Sequence, residues 1–197
     1  YRVPLVGGDT TKGPLSITVQ VMGETDSGKA ILRSNAKEDQ LIFVSGMIGN
    51  AYLGLNELKD ISSSNKNILS YLNPKARIEL GQELLDIASS AIDISDGLLQ
   101  DVSLICKASN VGAEIFLDKI PTSVSEKTLE LINSGDDYEL CFTTDKDKYD
   151  KVMNISTMLD IPITSIGKIT SSKEVVLYDH TKKRIKFKSG YKHFWYE

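Results

Sequence analysis

Beyond residue 40 the sequence switches repeatedly between short β-branched or apolar runs and longer stretches of helical spacing. That alternation confines the chain to a mixed α/β or α+β architecture, with strand ends as natural places for a site. The pattern predicts strands at 41–44, 91–94, 113–117, 139–143, 163–169, 174–178 and 184–188. Helices are predicted at 51–59, 66–72, 78–88, 98–109, 125–132 and 146–159. Ahead of them Leu15, Ile17, Val19 and Val21 alternate with polar residues, which predicts a half-buried strand over 15–22. A domain boundary is expected at residue 30, dividing the chain into 1–30 and 31–197. No heptad or internal repeat points to a coiled coil or solenoid.

A chain of 197 residues can bury a sizeable core, and 41% hydrophobic with 25% charged residues is the balance of a folded globular protein. The formal charge of −4 offers no broad basic surface, which argues against nucleic acid as a partner. No run reaches the roughly 18 apolar residues that span a membrane, and the start lacks the pattern of a signal peptide. Cys106 and Cys141 lie far apart and match no metal-knuckle spacing, so reduced core thiols in a cytoplasmic protein are expected. The chain opens on Tyr1 and reaches Gly7-Gly8-Asp9-Thr10 almost at once, which gives the expectation of a shortened N-terminus.

Three acidic clusters sit at expected element ends: Gly7-Gly8-Asp9-Thr10, Asp93-Ile94-Ser95-Asp96-Gly97 and Ser134-Gly135-Asp136-Asp137-Tyr138-Glu139. Carboxylates suit hard cations, and Mg²⁺ commonly reaches substrate phosphates through one or two of them while keeping its waters. Asp93 and Asp96 lie where a strand gives way to a helix, and freed amides at a helix start favour anions. Ser95 can donate to a phosphate there, but Ser95 or Asp96 can equally cap the helix. The Gly7 to Thr10 loop and the Asp136-Asp137 pair also fit ordinary turns.

The sequence has no Walker-type lysine loop and no G-x-S-x-G elbow. His180 and His193, both near the end of the chain, do not compose a zinc site or a hydrolase triad. The aromatic ending, Tyr191, Phe194, Trp195 and Tyr196, fits either stacking on a flat heterocycle or docking on the core.

In their order, these motifs resemble those of the thiamine-monophosphate kinases, in the superfamily of aminoimidazole ribonucleotide synthetase and selenophosphate synthetase. The likeness rests on GGDTTKGPL at 7–15, LRSNAK at 32–37, AIDISDGLLQD at 91–101, SGDDYELCF at 134–142 and GYKHF at 190–194. Asn35 stands where glycine is expected, and Ser134 where a second glycine is common. The family's Gly-Asp-Asp type acidic motif near the N-terminus has no counterpart here.

The resemblance implies that 1–30 is the end of an ATP-binding domain and 31–197 a C-terminal α/β domain closing over the active site. It implies Asp9, Asp93 and Asp96 as Mg²⁺ ligands, Gly8, Arg33 and Ser95 as ATP contacts, and Asp136 and Tyr191 as contacts to thiamine monophosphate. The neighbouring Asp137 leaves the register of the substrate acid open by one position. The implied reaction is transfer of the γ-phosphoryl group of ATP to thiamine monophosphate, in a homodimer of full-length chains, with no protein nucleophile. Two other readings stay open: a non-catalytic piece of such a kinase, or another ATP-dependent member of the superfamily.

Overall fold

The computed structural model describes residues 3–58 and 66–187. Its framework is one seven-stranded sheet. The strands are β1 (Leu41–Ser45), β2 (Ser90–Asp93), β3 (Gly112–Phe116), β4 (Leu140–Thr144), β5 (Ile163–Thr170), β6 (Val175–Tyr178) and β7 (Arg184–Ile185). They lie in the order β2-β4-β1-β5-β3-β6-β7. Pairing is antiparallel throughout except between β3 and β6, which run parallel. The helices are α1 (Asn50–Glu57), α2 (Lys66–Leu72), α3 (Ile78–Glu83), α4 (Leu98–Ser109), α5 (Thr128–Leu131) and α6 (Tyr149–Leu159). The sheet with its helices bears out the expected mixed α/β class.

The central strand shows why Leu41 to Val44 reads as a continuous apolar run. Side chains alternate across a strand, so a strand covered on both faces needs apolar residues at every position. Ile42 and Val44 enter one core, with Leu98, Val102 and Ile105 of α4. Phe43 enters the other, with Leu80 and Leu84 from the α3 region and Val152 and Ile155 of α6. Phe43 stands directly across from Phe142 of β4, and their rings stack with centroids 5.4 Å apart. Such a pair adds about 0.5–1.5 kcal/mol beyond area burial.

Several expectations change. Residues 15–22 form no strand: Leu15, Ile17, Val19 and Val21 are 94%, 83%, 81% and 76% exposed, and none pairs with another strand among the described residues. Alternation gives a segment two unlike faces, but a strand also needs a hydrogen-bonded neighbour. The helix expected over 78–88 stops at Glu83 and runs into turns, with Asp86 in the left-handed region at φ 61°. The helix at 125–132 shrinks to a 3₁₀ turn, Ser125–Lys127, and the single turn of α5. The strand at 184–188 is reduced to Arg184–Ile185, and Lys188 and Lys59 fall outside the described residues. Cys106 and Cys141 are both buried and free, as core thiols, and burial pushes the Cys106 thiol up to about 11. Among the described residues no helix is long and apolar enough to cross a membrane.

Candidate active site

Two of the three acidic motifs meet because β2 and β4 are neighbours. Asp93, the last residue of β2, stands opposite Leu140, the first of β4. The turn after β2 and the loop before β4 therefore leave the sheet side by side. The backbone ladder continues past the strands: Ile94 donates its N–H to Glu139 at 2.8 Å, Tyr138 to Ile94 at 2.9 Å, and Asp136 to Ser95 at 3.0 Å. A Cβ on Gly135 would lie 2.0 Å from the carbonyl oxygen of Ser95, so only glycine allows the loop so close. Asp136 and Tyr138 hold φ angles of 68° and 51°. Two left-handed non-glycine residues in one short loop are a local cost that the surrounding contacts must offset.

Neither Ser95 nor Asp96 caps α4. The N-cap position is held by Gly97, at φ 120°. Asp93 and Asp136 are exposed, while Ser95 and Asp96 are half-buried. The Asp96 carboxylate accepts a long bond, 3.3 Å, from the Gln100 amide. Burial raises the Tyr138 phenol above its ordinary pKa, and the charges of Asp136, Asp93 and Asp96 push it the same way, with a side-chain hydrogen bond to Asp136. The phenol therefore sits in the field of carboxylates from both motifs and stays protonated at neutral pH.

The adjacent Asp137 does something else. Its carboxylate turns inward and accepts the N–H groups of Gly49 at 2.7 Å and Ala51 at 3.2 Å, satisfying the start of α1. Burial lifts its pKa to about 7, although those two bonds act in the opposite direction. Glu139 is committed as well: Arg77 grips both its oxygens at 2.5 and 2.7 Å, and Ser45 Oγ donates at 2.5 Å. Of the three acids in this loop, Asp136 is the one left facing solvent.

Beside Asp136 opens a cavity of about 890 Å³ walled by Tyr52, Leu55, Tyr71, Leu129 and Phe187. Tyr52 donates its hydroxyl to Glu130 at 2.8 Å, joining α1 to α5 along this wall. The lining is largely apolar and aromatic, with Glu126, Glu130, Asp136, Lys127 and Lys186 among its polar residues, and suits a flat organic group that carries charge.

The structure does not bring every expected residue here. Gly8 and Asp9 lie in an exposed segment, where no atom comes within 4 Å of a Cβ built on Gly8 and Asp9 Oδ1 accepts from the Thr10 amide at 2.8 Å. Arg33 is fixed by a bond from Ser109 Oγ to its carbonyl at 2.9 Å, at the C-terminal end of α4. The adjacent Leu32 bridges Ser90, at the opposite end of β2 from Asp93. Tyr191 lies outside the described residues.

Among the described residues no three carboxylate, imidazole or thiol groups draw together tightly enough to hold a metal. The described residues therefore form no closed all-protein cage. Two oxygen donors at a strand end, exposed or half-buried, fit Mg²⁺ in the open mode, shared with phosphate and water.

The sequence reading missed Asp101, whose buried carboxylate binds the turn's backbone and is raised to about 6 by burial. The signal was an acid inside the apolar stripe of α4, between Leu98 and Val102. It also missed the inward roles of Asp137 and Glu139, which no local pattern announces.

A mixed sheet covered by helices, with paired acidic loops at one edge, defines the class to which the comparisons lead. Residues 28–180 match the family described as AIR synthase related protein, C-terminal domain, and the chain belongs to that family. Within it, the expected likeness to thiamine-monophosphate kinases extends over nearly the whole chain. The thiamine-monophosphate kinase of Buchnera aphidicola subsp. Schizaphis graminum is 41% identical over 98% of this chain and 65% of its own length. A crystal structure of the Stenotrophomonas maltophilia enzyme is 32% identical with a TM-score of 0.72, covering 77% of this chain and 54% of that one. The structure described as AaThiL complexed with AMPPCP and TMP is 27% identical with a TM-score of 0.67, covering 83% of this chain and 54% of that one. The chain thus spans about 65% of the length of these curated relatives.

Proposed function

We propose that this chain supplies the nucleotide- and substrate-facing C-terminal domain of an ATP-dependent kinase that converts thiamine monophosphate to thiamine diphosphate. The observation that carries the reading is the junction of the 93–97 turn with the 134–139 loop beside the aromatic-walled cavity. The likeness to kinases of that name supports the choice of substrate, as does the AMPPCP and TMP complex of a structural relative.

In this reading a terminal phosphate oxygen of thiamine monophosphate attacks the γ-phosphorus of ATP in line. The bond from that phosphorus to the β–γ bridging oxygen breaks, and ADP leaves with its electron pair. The acceptor is already an anion at neutral pH, so no protein nucleophile and no strong base are needed. Bound Mg²⁺, held by Asp93 and Asp96, would supply charge neutralisation between two polyanions. Ser95 donates its hydroxyl to a phosphate oxygen. Asp136 faces the cationic thiamine moiety, whose rings lie against Tyr52, Leu129 and Phe187. The turn and loop orient the two phosphates, and orientation is a large part of catalysis where little covalent work is required.

Asp9 as a further Mg²⁺ ligand, Gly8 and Arg33 as nucleotide contacts, Tyr191 as a substrate contact and a cytoplasmic homodimer rest on the resemblance alone. A domain division at residue 30 is supported by the uniform exposure of residues 3–30 and the first core residue at Ala36.

The test is to incubate the chain with Mg-ATP and thiamine monophosphate and to follow thiamine diphosphate by fluorescence after oxidation to the thiochrome. The expected result is product in proportion to protein, when the chain is assayed within a protein as long as its relatives. Absence of product from that protein, with ATP consumed on another acceptor, overturns the choice of substrate.

A further inference from the structure

Asp101 sits on the buried face of α4 with Leu98, Val102 and Ile105, and is only 1% exposed. Taking a carboxylate out of water is unfavourable unless its oxygens are satisfied. Here a single oxygen, Oδ2, accepts two successive backbone amides, Ser95 N–H at 3.0 Å and Asp96 N–H at 3.1 Å. From the other side, the carbonyl of the same Ser95 accepts from Asp136 at 3.0 Å. The turn is thus gripped at both its donor and its acceptor edges.

We infer that Asp101 is a positioning residue, which fixes the backbone that presents Asp93, Ser95 and Asp96 to cation and phosphate. The inference rests on the reading of that turn as the cation- and phosphate-facing site. Side chains on a turn that can rearrange sample many relative positions, and binding or transfer must then select one of them. Outer groups that orient ligands in this way commonly matter nearly as much as the ligands. The role is geometric. Both bonds end on one oxygen, so the carbonyl oxygen of an asparagine can accept both, whereas alanine accepts neither.

The test uses the ¹⁵N-labelled chain as wild type, Asp101→Asn, Asp101→Ala and Asp96→Asn. Amide exchange at Ser95 and Asp96 is read with no ligand present, and Mn²⁺ affinity is read by water-proton relaxation. Asp101→Ala is expected to speed exchange at those two amides by about tenfold or more, beyond any change at the β1 amides. The same variant should weaken Mn²⁺ by about 10- to 100-fold, while Asp101→Asn stays within about threefold of wild type on both readouts. Unchanged exchange in Asp101→Ala overturns the inference. So does an Asp101→Asn protein that behaves like Asp101→Ala, because the charge would then matter and not the shape. Where Asp101→Ala loses protection throughout the fold, Asp101→Asn decides: protection kept at Ser95 and Asp96 supports the inference, and selective loss there overturns it. Failure of the underlying site reading looks different. Mn²⁺ affinity would then be untouched by Asp96→Asn, whatever the two amides do.

Discussion

The amide of Asp136 donates to the carbonyl of Ser95 across 3.0 Å, and this bond joins residues 41 positions apart in the chain. It sits just beyond the pairing of β2 with β4, so the sheet itself sets the spacing of the acids on the two loops.

That approach depends on the missing side chain of Gly135. Gly135→Ala places a Cβ 2.0 Å from the Ser95 oxygen, and the loop must retreat. We expect a loss of about 1–3 kcal/mol in urea unfolding, the usual range for forcing extra carbon into a tight contact. An unchanged midpoint would mean that the two loops are not held in contact.

The buried Arg77–Glu139 pair should be costly to break from one side. Its side chains are 19% and 11% exposed, and Glu139 also accepts from Ser45. Arg77→Met should destabilise by about 3 kcal/mol by leaving a buried carboxylate without its cation, and Arg77→Met with Glu139→Gln should be less harmful than the sum of the two changes. Additive effects in chemical denaturation would contradict the pairing.

Asp137 predicts a pH dependence of stability. Its folded pKa is raised to about 7 by burial, against an ordinary value of 3.8. Between those values the folded state holds the proton more strongly than the unfolded state, so stability falls as pH rises through that window. The contribution is fully present below pH 3.8 and lost once the pH has passed about 7. Urea midpoints of wild type and Asp137→Asn, compared from pH 4.5 to 8, should diverge with that sign, the variant lacking this part of the slope. Parallel curves would refute the assignment.

Asp93→Asn and Asp96→Asn should each lower turnover about a hundredfold in a protein as long as the relatives, and raise its Mg²⁺ requirement. Kinetics indistinguishable from wild type would remove both residues from the site.

Much of this arrangement is legible in the sequence for physical reasons. Phe43 and Phe142 lie in apolar runs too continuous for a half-exposed strand, and Asp93, Ser95 and Asp96 fall where a strand pattern gives way to a helical one. Other features depend on partners that spacing does not reveal. Leu15 to Val21 carry the alternation of a strand, yet no neighbouring strand among the described residues takes up their backbone bonds. Asp136 and Asp137 are indistinguishable as adjacent letters. In three dimensions one faces solvent and the other closes the start of α1, because the loop packs against a helix formed more than 80 residues earlier.

The most direct measurement is to titrate thiamine monophosphate into the ¹⁵N-labelled chain and map the amides that shift. The account predicts that Ser95, Gly97, Gly135, Asp136 and Tyr138 move together with cavity residues Tyr52 and Leu55, at one common affinity. Shifts confined to one motif, or clustered on another face of the sheet, would contradict it.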